Sequence, residues 1–150
     1  MSTPVTLDAF NACSIPRGEW DHRAHLTVAY LLLRAHGLDG ATLRMREGVQ
    51  RYNARWGIEQ TETGGYHDTM TIAWVRILHA VMVAYGPGAD AEAFLAEHPY
   101  LLSRFLLRLY YSRPRIMCAG ARAGWVEPDL APLPSPPAGG VVSCDARHHP

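Results

Sequence analysis

The stretch from Asp68 to Tyr85 is apolar on nearly every side: Ile72, Ala73, Trp74, Val75, Ile77, Leu78, Val81 and Met82 spread around a 3.6-residue period. A helix without a solvated face belongs at the centre of a bundle, and this requirement restricts the rest of the chain. Asp68 or Thr69 is suited to cap it, after the turn chemistry of Thr61-Glu62-Thr63-Gly64-Gly65-Tyr66, and Gly86-Pro87-Gly88 stops it. Residues His22 to His36 are a second central candidate, rich in Leu, Val, Ala and Tyr and closed by Gly37. Between them, Asp39 caps a helix to about Trp56, with Met45, Val49, Tyr52 and Trp56 on one stripe and Arg44, Glu47, Arg51 and Arg55 on a solvated face. Short turns are expected around Leu7 to Cys13 and between Arg115 and Ala123. A fourth helix follows the Asp90 cap to about Glu97. A fifth starts at Pro99, with Leu101, Leu102, Phe105, Leu106 and Leu109 facing inward.

No β-alternation persists anywhere, so the sequence predicts an all-α, single-domain bundle of four to five helices with an irregular, Pro-rich C-terminal tail. The domain is expected over residues 1–134, and residues 135–150 as a disordered tail; residues 128–150 hold six prolines and little that could pack. A chain of 150 residues buries roughly two thirds of its unfolded surface and needs no disulfide or structural metal to fold. Its three cysteines, Cys13, Cys118 and Cys144, lack the spacing of a thiolate site. Fourteen cations, all Arg, balance fourteen acids, which argues against a nucleic-acid partner. No apolar run reaches the length of a membrane span, and Met1-Ser2-Thr3-Pro4 opens no signal sequence, so no membrane partner and a cytoplasmic location are expected.

Eight histidines are the unusual feature of the composition. His22 and His25 stand three residues apart on one helical face, close enough to share a metal. If the helices run up, down and up, His67 at the mouth of the central helix meets them at the same end of the bundle. Three imidazoles suit a divalent ion, Zn, Fe or Cu, and imidazole alone does not choose among these. Glu62, Tyr66 and Asp68 are the candidate catalytic groups beside such a metal. Arg23 and Arg122 are candidate substrate ligands, because two helix N-termini and a metal favour a small anion. Ser112-Arg113-Pro114-Arg115 offers a weaker anion site. Trp20 and Trp125 read as core plugs. The G-x-S-x-G, P-loop, G-x-G-x-x-G and H-E-x-x-H patterns are absent from the sequence.

Trp20-Asp21-His22-x-x-His25, Gly65-Tyr66-His67-Asp68-Thr69, Tyr111-Ser112, Ala121-Arg122 and Pro128-Asp129-Leu130-x-Pro132-Leu133-Pro134 together resemble a group of small bacterial helical proteins, over about residues 15–134. The resemblance implies a shared helical fold and draws attention to the three histidines; it attaches no activity. Asp68 stands where Glu is expected, one methylene shorter. The sequence therefore points to a small metal-dependent enzyme acting on a small anionic molecule by metal-activated water, Lewis-acid or Fe/Cu redox chemistry. The alternative is a non-catalytic helical module that binds a ligand or partner and uses its histidines as polar lining.

Overall fold

The computed structural model describes residues 4–136, and the predicted tail from residue 137 onward lies outside the described residues. The fold is all-α, with no strand among the described residues. Helix α1 (Leu7–Asn11) is followed by a 3₁₀ turn (Arg17–Glu19), then by α2 (His22–Arg55), α3 (Asp68–Tyr85) and α4 (Ala91–Glu97). Two 3₁₀ helices (Pro99–Leu102 and Arg104–Leu109) and the short α5 (Arg113–Ile116) and α6 (Ala119–Ala123) complete it.

Helix α2 is two helices joined at one residue. Gly37 has φ 76° and ψ −176°, a left-handed φ that glycine adopts without a Cβ penalty. A straight helix of 34 residues would be about 50 Å long. Instead the ring of Trp20, just before α2, lies 5.1 Å from that of Tyr52 near its end. The arms 22–36 and 38–55 therefore fold back on one another, as the predicted stop at Gly37 requires. The His22 ring lies 4.6 Å from that of Trp74 early in α3, and the Tyr30 hydroxyl donates to the Pro87 carbonyl beyond its end at 2.7 Å, so the first arm and α3 run parallel with their starts at one end. Helix α1 packs across the second arm at Gly48, where any Cβ would run into the Phe10 ring.

The core is formed by the apolar faces of these helices, with Val28, Tyr52, Ala73, Leu78, Phe94, Leu95 and Leu101 fully buried. The predicted fifth helix is corrected. Residues Pro99 to Leu109 form two 3₁₀ helices, and Phe105 and Leu109, expected inside, are 64% and 60% exposed. At the 3.0-residue period of a 3₁₀ helix Phe105 and Arg108 share a side, and both are exposed, so the inward stripe read at a 3.6-residue period does not form. After α6 the chain returns across the start of α3. The Thr69 hydroxyl donates to Gly124 O, Tyr111 to Val126 O, and Asp129 accepts both the N–H and the hydroxyl of Ser112. Arg76 stacks 4.3 Å above the Trp125 ring and pins the same strap. No helix among the described residues is long and apolar enough to cross a membrane.

Candidate functional site

Where the first arm of α2, α3 and the Arg104–Ile116 stretch meet, they line a cavity of about 1210 Å³ that opens to solvent. Its walls include Leu26, Met45, Val49, Trp74 and Leu107, and its polar groups include His22, His25, His67, Tyr66 and Thr71. The three predicted histidines thus line one space, at one end of the bundle, and their hydrogen bonds separate them chemically.

Asp21 caps α2 by accepting the Ala24 N–H at 2.9 Å. One turn on, His25 Nδ1 lies 2.7 Å from the Asp21 carbonyl oxygen. A carbonyl only accepts, so Nδ1 carries the ring proton and Nε2 carries a lone pair. That Nε2 makes no hydrogen bond to a described residue. The ring stacks on Trp20 at 3.9 Å, and Trp20, predicted as a core plug, also forms part of the cavity wall. Burial pushes the His25 imidazole down to about 4, although the Asp21 carbonyl opposes the shift, so the ring is neutral at pH 7. His25 is surrounded by protein yet retains partial exposure, because the cavity itself admits water.

His22 has the mirror arrangement. Its Nε2–H donates to the Leu101 carbonyl at 3.0 Å, which leaves Nδ1 with the lone pair, and its ring meets Trp74 edge-on at 4.6 Å. Burial lowers its pKa, and the Arg104 cation adds to that.

His67 differs from both. Nε2–H donates to the Ile116 carbonyl at 2.7 Å, and Nδ1 accepts the Met70 N–H at 3.1 Å as the N-cap of α3. Both ring nitrogens are used, so the cap assigned to Asp68 or Thr69 belongs to His67. His67 thus lines the same cavity as His22 and His25 with both ring nitrogens on backbone groups. Among the described residues no group of three His, Cys, Asp or Glu side chains is placed to hold a metal ion.

The carboxylate end is also bonded up. Asp68 is 2% exposed and receives Arg46 through Nε at 2.9 Å and Nη2 at 3.2 Å, together with the Tyr66 hydroxyl. Burial, followed by the Asp68 contact, raises the Tyr66 pKa. Asp68 faces a second depression of about 810 Å³ on the other side of Tyr66, as do Glu62 and Arg122, so of the predicted catalytic groups only Tyr66 touches the histidine cavity. Glu62 is exposed in the loop. Arg122 does fold back over this end, but its Nη1 is 3.3 Å from the Tyr66 carbonyl and 3.4 Å from that of Gly65, where it closes the loop. Arg23 is exposed and lines neither space.

Sequence reading did not pick out Arg46, Arg104 or Arg108. Arg104, Arg108 and Arg113 ring the cavity mouth, and none makes a salt bridge with a described residue. Only Arg113 belonged to a stretch with an anion-binding pattern. The other two sit in a segment whose leucines suggested a core helix.

No family model matches the chain, and neither a curated protein nor a solved structure matches it.

Proposed function

We propose that the protein takes a small anion with an apolar body into the His22–His25 cavity, its carboxylate or phosphate directed at the arginines of the mouth, where the neutral His25 accepts a hydrogen bond from a hydroxyl or N–H that the ligand also carries. The observation that carries this reading is the His25 Nε2: a lone pair that no described residue uses, on a ring that lines the cavity, with its tautomer fixed by the Asp21 carbonyl. An imidazole held neutral below pH 6 is a competent acceptor across the physiological range. The aliphatic and indole walls suit an apolar body, and the arginines at the mouth suit a carboxylate or phosphate.

A second reading is favoured by one observation. His22 and His25 each have one N–H fixed on a backbone carbonyl and the other nitrogen free, the usual orientation of rings that hold a divalent metal. In that reading Zn, Fe or Cu sits between two imidazoles, and the anion or water completes its shell.

Thermal shift of the full chain, carrying no His-tag, tests both readings against a panel of small carboxylates, phosphates and amines, with and without each metal. A ligand at about a hundred times its Kd adds about 2.7 kcal/mol, or roughly 5–10 °C in Tm for a chain of this size. Apolar carboxylates that also carry a hydroxyl or N–H are expected to shift the midpoint without metal, and His25→Gln to remove the shift. A shift that needs metal selects the second reading. A response to amines alone defeats the anion site.

A further inference from the structure

From Pro99 to Val126 the chain carries five arginines (Arg104, Arg108, Arg113, Arg115 and Arg122) and no acid, although its net charge is zero. The fold gathers three of them, Arg104, Arg108 and Arg113, around the cavity mouth, all exposed. The same mouth holds Phe105, Leu130 and Met117, which are 64%, 58% and 37% exposed. Three acids near this end bond neutral groups and not these arginines: Asp21 caps α2, Asp129 accepts Ser112, and Glu127 accepts the Trp125 indole N–H at 2.7 Å. Among the described residues none of these three guanidinium groups forms an ion pair, and the rim sets them beside exposed apolar side chains.

We propose that this rim docks on an anionic lipid surface, with Phe105, Met117 and Leu130 entering the headgroup–acyl boundary and Arg104, Arg108 and Arg113 contacting lipid phosphates. The match is in charge and in chemistry. Guanidinium groups bind phosphate and are weakly hydrated, while aliphatic and phenyl groups gain from leaving water at the same depth. The contact is peripheral and asks for no membrane-spanning helix. It stands apart from whatever the cavity binds. Nucleic acid fits the rim less well. Leu130 and Met117 have no ring to stack on a base, and the guanidinium of Arg108 covers the Phe105 ring at 4.4 Å. The rim is held in place from behind, because the Leu130 N–H donates to the Tyr110 carbonyl at 2.9 Å and Ser112 is tied to Asp129.

The test is co-sedimentation of the full chain with phosphatidylcholine vesicles, pure or containing phosphatidylglycerol, at low and high salt. Binding is expected only to the anionic vesicles and is expected to fall as salt rises. Replacing Arg104, Arg108 and Arg113 together by Gln should weaken it about 100-fold, from roughly fivefold for each charge at the surface. Phe105→Ser with Leu130→Ser should weaken it by at least about tenfold, since two apolar groups no longer enter the boundary. All five side chains are exposed, and an unchanged helical circular dichroism spectrum shows that each variant is folded. Equal binding to neutral vesicles, binding to neither, or undiminished binding by the triple Gln variant would overturn the proposal. So would preferential binding of a single-stranded oligonucleotide, or self-association abolished by the Phe105/Leu130 double variant, which would give this face to a nucleic acid or to a second copy of the chain.

Discussion

Two helix starts lie side by side at one end of this molecule, both marked by histidine, and their hydrogen bonds use the rings in opposite ways. At the start of α2, His22 and His25 each spend one ring nitrogen on a backbone carbonyl and keep the other for the cavity. At the start of α3, His67 spends both, and its neighbour Asp68 is filled by Arg46 and Tyr66. The same residue type, within the first turn of a helix or at its cap, is in one place a group with spare bonding capacity and in the other a structural bolt. What separates them is the count of lone pairs left over, a finer distinction than burial or position.

The largest test of that contrast is Asp68→Ala. It strips a buried carboxylate from Arg46 and leaves the Tyr66 hydroxyl without its acceptor, so a loss of about 3–4 kcal/mol is expected in urea unfolding. Arg46 reaches water, its side chain being 43% exposed, which keeps the loss at the lower end of what breaking a fully buried pair costs. A loss under about 1 kcal/mol would remove the structural role assigned to the α3 end.

Acid provides the second test, on the α2 end. The His25 imidazole is near 4 in the fold and near 6.5 when unfolded, so between those values the unfolded chain binds the extra proton. Stability is therefore fully present above about pH 6.5 and falls as pH drops toward 4. The loss from His25 is on the order of 2–3 kcal/mol after allowing for screening by water in the cavity. His22 and His67, also lowered by burial, add in the same direction. Denaturant midpoints taken from pH 8 to pH 4 should trace the fall, and His25→Gln should make it shallower. A flat profile would mean that His25 is not held neutral.

His67→Ala follows, at about 2 kcal/mol in thermal or urea unfolding, from a lost N-cap and an Ile116 carbonyl left without its donor. His67→Asn should recover the cap and about half of that loss, because Asn caps well and cannot reach as far.

The sequence made the α2 end more legible than the α3 end. The i,i+3 pair, the Gly37 break and the parallel first arm and α3 all follow from local periodicity and short turns, and they bring His22, His25 and His67 to one cavity. The bonding of His67 was hidden because the Ile116 carbonyl arrives from 49 residues away, on a segment whose path no local pattern fixes. Arg46 was hidden for a similar reason: it lies one residue from Met45 on a helix whose other arginines face solvent, and only the approach of α3 gives it a partner. The stretch from Pro99 to Leu109 misled through its leucines, since a helical period read as a core stripe becomes, at three residues per turn, an exposed Phe105 and Leu109.

The smallest expected effect on stability is the sharpest test of the comparison. His25→Gln at pH 8 removes a ring stacked on Trp20 but can keep the bond that matters locally, since a Gln side-chain N–H reaches the carbonyl four residues back as the imidazole Nδ1–H does. Nothing in the fold depends on Nε2, so the stability change is expected within about 0.5–1 kcal/mol. The matched change His67→Gln cannot satisfy both the Met70 N–H and the Ile116 carbonyl and should cost about 2 kcal/mol. Ligand-induced Tm shifts should show the reverse order, abolished by His25→Gln and largely retained in His67→Gln. Equal destabilisation by the two substitutions would show that the free nitrogen of His25 is supporting the fold, and the division between a working histidine end and a structural one would no longer hold.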